Sequence, residues 1–262
     1  HPVAHSFPTR RSSDLVAKDY RGFMWFGTRD GLNRYDGYNF RIYRHDPTDS
    51  MSLINNEVTV LYEDKAQNLW IGAGGLHRYD RSTDRVERIV AVEDISSAPR
   101  IFISDIEADH RGDIWFSVTD IGIYRISPEV DENGGKDYRL QGPYLLSGRD
   151  NNPAFKMADL HSADQEMWMS YQGGLFRLRS DKNGDFPQPA HKEFDKISLP
   201  LLEKKLRFSS LFQDQQNTLW ATTDEGLLRI DNHNNPESAT LFDYPENYYR
   251  IDCIHCGKEI AI

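Results

Sequence analysis

Five tryptophans divide the chain into similar segments, and this repeat constrains the fold more than any other feature. Their spacings are 45, 45, 53 and 52 residues. Four of the five follow an aspartate by six residues, and after every one comes a glycine, then an arginine three residues beyond that glycine. A period of roughly 40 to 50 residues is typical of propeller blades and other repeats. The repeat is anchored by Trp25, Trp70, Trp115, Trp168 and Trp220.

The second segment shows the chemistry of one unit. Residues 58–63 are rich in β-formers, and the run 69–73 is short and continuously apolar, as in a strand buried on both faces. Gly74 and Gly75 allow a turn with positive φ. Residues 76–80 alternate, and 85–92 follow a polar turn. Four short antiparallel strands in about 45 residues predict one blade of a β-propeller.

The whole chain is therefore predicted to be all-β, an incomplete β-propeller of five four-stranded blades plus the start of a sixth in residues 248–262. Seven blades, the number expected, need about 300 residues or more at 40–45 per blade. We thus expect an open fan with exposed edges. Polar hairpin insertions at 127–138 and 180–191 explain the two longer spacings.

The N-terminal residues indicate a foreign segment. Residues 5–15 read HSFPTRRSSDL, which resembles the translation of a common sequencing adapter. We therefore predict a non-native tail over residues 1–15 and a partial propeller over 16–262.

Composition argues against several classes of function. The net charge is −10, whereas nucleic-acid surfaces are basic, so no nucleic-acid partner is expected. No run approaches the roughly 18 apolar residues of a membrane span, and no membrane contact is expected of this part of the protein. The two cysteines, Cys253 and Cys256, cannot form a disulfide framework.

The repeat frame D-x-x-G-x-x-W-[IF]-G-T-x-x-G-L-x-R-Y-D resembles the two-component regulator propeller repeat, most closely over residues 22–64. The resemblance implies a periplasmic sensor region made of two seven-bladed propellers, in a protein that carries a histidine kinase or a diguanylate cyclase elsewhere. It also implies an oligosaccharide or other small-molecule ligand. The partners implied are the remaining blades, the second propeller and a second copy of the full sensor. No catalysis is expected in residues 16–262.

The loops after the tryptophan strands vary from blade to blade, and function usually lies in loops that vary on a common scaffold. Carboxylate, amide, guanidinium and phenol groups suit sugar hydroxyls, although each could equally be an ordinary turn residue. The candidate ligand-binding residues in these loops are Arg29, Asp30, Asp120, Tyr171, Gln172, Asp224 and Glu225.

A second group of candidates stands four residues before the middle of each first strand. With Leu61, Ile106, Leu160, Leu211 and Ile254 as anchors, these positions hold Glu57, Phe102, Lys156, Arg207 and Arg250. The three cations would converge at the channel mouth and slightly favour an acidic oligosaccharide. The alternative is that long basic side chains simply extend into solvent.

Other motifs favour structural roles. The recurrent arginines, Arg34, Arg78, Arg125, Arg177 and Arg229, belong to the scaffold frame and predict salt bridges within blades. Cys253-x-x-Cys256 lacks the second ligand pair of a zinc site. The run 181–185 resembles part of a calcium loop, but Lys192 occupies the twelfth position, so a hairpin turn explains it better. No metal, cofactor or catalytic residue is predicted.

Two other functions remain open. A propeller enzyme of the streptogramin-lyase or sialidase type would need a converging histidine and carboxylate, which no motif marks, and sialidase boxes place aspartate five residues before tryptophan instead of six. A protein-binding propeller of the WD kind would end its repeat in Trp-Asp, which is not seen.

Overall fold

Twenty short strands form five four-stranded antiparallel sheets in the computed structural model of the chain. The structure describes residues 15–91, 94–95, 101–130, 136–144, 159–163, 165–171, 174–189, 194–199, 206, 208–214, 216, 218–231 and 239–243, with the backbone alone for 136, 159–163, 171 and 209. In each sheet the strands pair in chain order, so each blade is a simple meander.

The strand bounds follow the repeat. Blade one contains β1 (Leu15–Lys18), β2 (Met24–Thr28), β3 (Gly31–Tyr35) and β4 (Phe40–Tyr43). Blade two contains β5 (Val60–Glu63), β6 (Leu69–Gly72), β7 (Leu76–Asp80) and β8 (Arg85–Val90). Blade three contains β9 (Ile103–Ala108), β10 (Ile114–Val118), β11 (Gly122–Val130) and β12 (Lys136–Tyr144). Blade four contains β13 (Asp159–Ala163), β14 (Glu166–Tyr171), β15 (Gly174–Arg179) and β16 (Asp195–Lys196). Blade five contains β17 (Phe208–Gln213), β18 (Leu219–Thr223), β19 (Gly226–Ile230) and β20 (Thr240–Asp243).

The predicted repeat register is confirmed. All five tryptophans lie on the second strand of their blades. The anchors of the four first strands within the described residues each pair with the residue that directly follows the tryptophan: Leu61 with Ile71, Ile106 with Phe116, Leu160 with Met169 and Leu211 with Ala221.

The first strands of consecutive blades lie side by side, as the innermost strands of a propeller do. The Thr59 hydroxyl donates to the carbonyl of Ile103 at 2.7 Å, and the Tyr62 hydroxyl accepts from the amide of Ala108 at 3.1 Å. From the first contact to the second, the residue numbers rise in both segments, so β5 and β9 run parallel. The all-β propeller prediction is confirmed.

Blades one to four each pack their tryptophan on the next blade. Trp25, Leu32 and Tyr43 of blade one share a buried cluster with Leu69 and Ile71 of blade two. This dry packing of aromatic against aliphatic side chains leaves no space for a polar guest in that cluster.

The other face of blade one is less covered in the described part of the chain. Val16, Phe40 and Ile42 are 47%, 49% and 49% exposed. The exposed edge expected at the first blade is therefore present among the described residues. An exposed apolar blade face of this kind favours association.

The hairpin insertion predicted at 127–138 is present, because β11 continues to Val130 and pairs with β12, which begins at Lys136. Two strand ends differ from the sequence prediction. The strand predicted over 69–73 ends at Gly72, and that over 85–92 ends at Val90.

Several predictions fall on residues outside those described: the tail of residues 1–14, the sixth blade in 248–262, and Cys253 with Cys256. Strand β1 begins at Leu15, the last residue of the adapter-like run. Among the described residues, no helix is long and apolar enough to cross a membrane.

Candidate ligand-binding rim

The loops between second and third strands lie at the same end of the blades as the connections between blades. In blade one, Gly31 N donates to Asn56 O at 2.8 Å and Val58 N donates to Thr28 O at 2.9 Å. In blade three, Thr119 N donates to Phe102 O at 2.9 Å. We call this end the loop rim, formed in the described residues by 28–31, 44–59, 73–75, 101–102, 119–121 and 224–225.

A threonine turn projects the predicted site residues of blade one. The Thr28 hydroxyl donates to the carbonyl of Gly31 at 2.8 Å and accepts from the amide of Asp30 at 3.1 Å. Because this one side chain satisfies both ends of the turn, the two central residues, Arg29 and Asp30, extend away from the sheet. Their side chains are 71% and 74% exposed.

Blade five repeats the same turn. The Thr223 hydroxyl donates to Gly226 O at 2.8 Å and accepts from Glu225 N at 3.2 Å. Asp224 and Glu225 are exposed at its tip. In blade three the turn is different, with exposed Asp120 in the left-handed region at φ 62°. An aspartate tolerates this conformation better than most residues do.

Two charged side chains that the sequence analysis did not include in the site complete it in blade one. Arg44 Nη2 lies 2.6 Å from Asp30 Oδ2, and Glu57 Oε1 lies 3.8 Å from Arg29 Nε. Both come from the connection between β4 and β5, so charges from two loops alternate across the rim. Glu57 is the residue four positions before the Leu61 anchor, so the repeat pointed to it. Arg44 lies outside the repeat frame, and no sequence pattern indicated it.

A buried histidine holds this connection in place. His77 is fully buried on β7, and its Nε2 accepts a hydrogen bond from Ile54 N at 3.0 Å. Its Nδ1 lies 3.3 Å from Ile71 O and therefore carries the proton. Burial lowers the pKa of His77 to about 4, since the charged form would lose its hydration.

The remaining predicted residues are only partly described. Tyr171 ends β14 opposite Gly174, which places its backbone beside the loop between second and third strands. Gln172, Lys156, Arg207 and Arg250 lie outside the described residues. The hypothesis of three cations at a channel mouth therefore stays a prediction.

The recurrent arginines are scaffold residues, with one correction. Arg78, Arg125, Arg177 and Arg229 make ion pairs within their own blades. Arg34 instead reaches the next blade, where its Nη1 lies 3.0 Å from Asp84 Oδ1. The prediction of a salt bridge inside the blade is wrong for Arg34 because the turn after β7 bends back over blade one. Arg78 also donates to Tyr138 of blade three at 2.7 Å.

The aspartates before the tryptophans fix the turns at the opposite end of the blades. The indole Nε1 of Trp115 donates to Asp109 Oδ2 at 2.9 Å, and Oδ1 accepts from two backbone amides. The same indole–carboxylate bond joins Trp25 to Asp19, Trp70 to Asp64 and Trp220 to Asp214. Asp181 forms the same kind of turn without a tryptophan, at the run that resembled a calcium loop. Within the described residues, no three metal-binding side chains cluster.

The meander blades, parallel inner strands and tryptophan repeat define a β-propeller protein. Residues 52–75 match the family model described as "Two component regulator propeller". These residues therefore match the two-component regulator propeller repeat that the sequence predicted.

A curated relative matches a short stretch. Histidine kinase P4 of Formosa agariphila is 53% identical over 38 residues, which is 14% of this chain and 3% of that protein.

Solved structures share the fold at low identity. PorZ of Porphyromonas gingivalis, a component of its type-IX secretion system, has a TM-score of 0.60 at 12% identity, over 87% of this chain and 33% of that one. A catalytically inactive virginiamycin B lyase from Staphylococcus aureus with quinupristin has a TM-score of 0.59 at 15% identity, over 88% and 70%. The extracellular domain of a hybrid two-component system of B. thetaiotaomicron has a TM-score of 0.50 at 20% identity, over 91% and 36%. The chain thus spans about a third of the length of PorZ and of the extracellular domain.

Proposed function

We propose that this propeller is an extracytoplasmic, specifically periplasmic, sensing module of a two-component signalling protein, and that it binds an oligosaccharide at the loop rim. The observation that carries the proposal is the exposed, alternating charge of Arg29, Asp30, Arg44 and Glu57, contributed by two different loops on a rigid scaffold. Sugar hydroxyls donate and accept at once, so carboxylates and guanidinium groups in alternation suit them.

The repeat supports the signalling part of this proposal. The match of residues 52–75 to the two-component regulator propeller model and the likeness to a histidine kinase over 38 residues both support it. We propose that a kinase or cyclase elsewhere in the same polypeptide carries the output. The further blades, a second propeller and a second copy of the sensor are its expected partners.

The other predicted residues extend the proposed site. Asp120, Asp224 and Glu225 lie at the same end of their blades as Arg29 and Asp30. We include Tyr171, Gln172, Lys156, Arg207 and Arg250 in the site on the strength of their sequence positions. We assign no catalytic residue to this part of the chain.

The test is calorimetric titration of the chain with a panel of neutral and acidic oligosaccharides. Arg29→Ala and Asp30→Asn remove one member of each charge pair and keep the Thr28 hydroxyl that holds the turn. We expect each to weaken binding about tenfold, the loss of one charge-assisted hydrogen bond. Lys18→Gln, an exposed change on β1, serves as the control. Full affinity in both rim variants would rule out this site. Turnover of an added glycan or of a streptogramin would favour the enzyme alternative.

A further inference from the structure

Among the described blades, the four junctions between neighbours follow one rule. On the second strand of the later blade, the two residues that flank the tryptophan share a buried cluster with the tryptophan of the preceding blade. All eight are at most 2% exposed: Leu69 and Ile71 in blade two, Ile114 and Phe116 in blade three, Met167 and Met169 in blade four, and Leu219 and Ala221 in blade five. These positions therefore form the face that receives a preceding blade.

The same two positions in blade one are Met24 and Phe26, and they are only partly buried. Strand pairing extends their face across the blade. Val16 and Ile42 lie in the row of Phe26, and Tyr35 and Phe40 lie in the row of Met24. We call these six side chains the back face of blade one.

The back face is apolar but exposed, unlike the equivalent faces of later blades. Phe40 is 49% exposed, whereas Val86 at the same place in blade two is 1% exposed and belongs to the buried cluster of that junction. Val16 is 47% exposed, whereas its equivalents Ile106 and Leu211 are each 1% exposed. Blade one thus has the side chains of a receiving face with no cover among the described residues.

The aromatic side chains of the back face already pack on one another. The ring centroid of Phe40 lies 4.7 Å from that of Tyr35 and 5.9 Å from that of Phe26. A face that is ordered before its partner arrives loses little side-chain entropy on docking. The packing within blade one therefore favours a rigid contact.

The hairpin between the third and fourth strands gives a second indication. In blade two this hairpin places Arg81 against the turn of the preceding blade, with Nη1 2.8 Å from Asp19 Oδ2. In blade one the hairpin of residues 36–39 presents Tyr38, which is 91% exposed. Asp36 fixes this hairpin, because its Oδ1 accepts from two backbone amides at 2.8 and 2.7 Å. An exposed tyrosine on an ordered turn thus belongs to the hairpin that contacts a preceding blade in blade two.

We propose that the back face of blade one receives the tryptophan-bearing face of a further blade of the same polypeptide, with Tyr38 against the turn before that tryptophan. The described junctions define the chemistry of this partner. Each preceding blade offers its tryptophan, an aliphatic residue directly after the repeat glycine, and an apolar residue at or beside the fourth strand, as Trp25, Leu32 and Tyr43 do.

Two observations favour the same polypeptide over a second copy as the source of this blade. In every described junction the two blades follow one another in one chain. In addition, this chain covers only 33% and 36% of two proteins that share its fold, so a polypeptide of that length has room for the missing partner. The inference rests on the further blades of the proposed function, but not on its ligand.

The test measures how fast N-ethylmaleimide labels a cysteine on the back face, in the 262-residue chain and in the complete polypeptide that contains it. Phe40→Cys should react at least about tenfold more slowly in the complete polypeptide, since a buried thiol reacts only when the junction opens. Val130→Cys, at a 75% exposed site in blade three, should react equally fast in both. Ile42→Cys repeats the measurement if Phe40→Cys does not fold. Mass spectrometry of the labelled peptides distinguishes the introduced cysteine from native ones.

A photo-crosslink identifies the partner. With p-benzoylphenylalanine in place of Tyr38, the complete polypeptide should crosslink within one molecule, to a peptide that carries a repeat tryptophan. A crosslink between two molecules would place a second copy on this face and overturn the proposal. Equal labelling of the back-face cysteine in the chain and in the complete polypeptide would overturn it as well.

The sugar titrations of the proposed function give an independent result. If they fail and the back-face cysteine is protected, the junction stands without an oligosaccharide site at the loop rim. If they succeed and the cysteine reacts equally fast in both forms, the junction is overturned and the rim site stands.

Discussion

Trp115 and Arg125 lie directly opposite each other on β10 and β11, with the guanidinium carbon 5.7 Å from the centre of the indole ring. Every blade pairs its tryptophan with the arginine of the repeat in the same cross-strand position. In blades one, three and four the guanidinium lies over the opposite indole ring and also reaches an acid, so the register explains arginine at this position.

The contribution of the Arg125–Asp113 ion pair to the free energy of unfolding should depend on its burial. Arg125 bonds Asp113 through Nε at 2.9 Å and Nη2 at 2.7 Å, with both side chains 12% exposed. Arg125→Lys keeps the charge but loses the planar two-point contact and the stacking, so we expect a loss of about 2 kcal/mol in unfolding free energy. Arg229→Lys, at an exposed pair with Asp231, should show no measurable loss. Urea denaturation followed by tryptophan fluorescence measures both, and equal losses would contradict the role of burial.

The carboxylate of Asp109 should contribute more to the free energy of unfolding than that of an exposed turn aspartate. Asp109→Ala leaves the Trp115 indole and the amides of Arg111 and Asp113 without their acceptor, which we expect to lower the unfolding free energy by about 3 kcal/mol. Asp36 also accepts two backbone hydrogen bonds, but water can replace it at its exposed site, so Asp36→Ala should have a much smaller effect. Thermal unfolding of the two variants tests this, and a comparable drop in Tm would show that the indole bond adds nothing.

Two glycines with positive φ allow strain and steric clash to be separated. Gly31 has φ +113°, and a Cβ there would lie 2.5 Å from the carbonyl oxygen of Tyr43. Gly37 has φ +100°, with no atom within 4 Å of such a Cβ. Gly37→Ala should cost about 1 kcal/mol for conformation alone, and Gly31→Ala at least about twice as much. Chemical denaturation of both gives the comparison. Equal costs would mean that Tyr43 moves aside freely.

Stability should fall on acidification through His77. Its pKa is about 4 in the folded chain, against an ordinary value of 6.5, so the unfolded chain binds more protons between these limits. The neutral histidine's contribution is complete above pH 6.5 and is lost as the pH falls toward 4, up to roughly 3 kcal/mol. His77→Gln should flatten that part of the curve of unfolding free energy against pH. An unchanged slope would exclude His77 as its source.

The sequence predicted the scaffold well because one period controls it. A tryptophan every 45 to 53 residues identified the second strand of each blade. Leu61 and Ile106 lie on the first strands, as predicted, and pair with the second strands. The strand ends near Gly72 and Val90 were less predictable, since hydrogen-bonding across a hairpin decides them more than composition does.

The sites were harder to predict because contacts between blades create them. Arg29 and Asp30 could be named from a variable loop, but their partner Arg44 comes from a connection outside the repeat frame. The side chain that fills a junction between blades also varies, because Arg81 does so between blades one and two and Phe186 between blades three and four. No spacing in one chain encodes that outcome.

The bond from Asp64 to the Trp70 indole has an optical consequence. The same carboxylate holds the turn that carries Lys65 and Ala66, so a guest that moves this turn also changes the electric field at a nearly dry indole. Trp220, bonded to Asp214 in blade five, belongs to another junction and provides an internal reference. The emission wavelength of a chain that keeps only one of these two tryptophans would thus show, without any label, at which junction a ligand has settled.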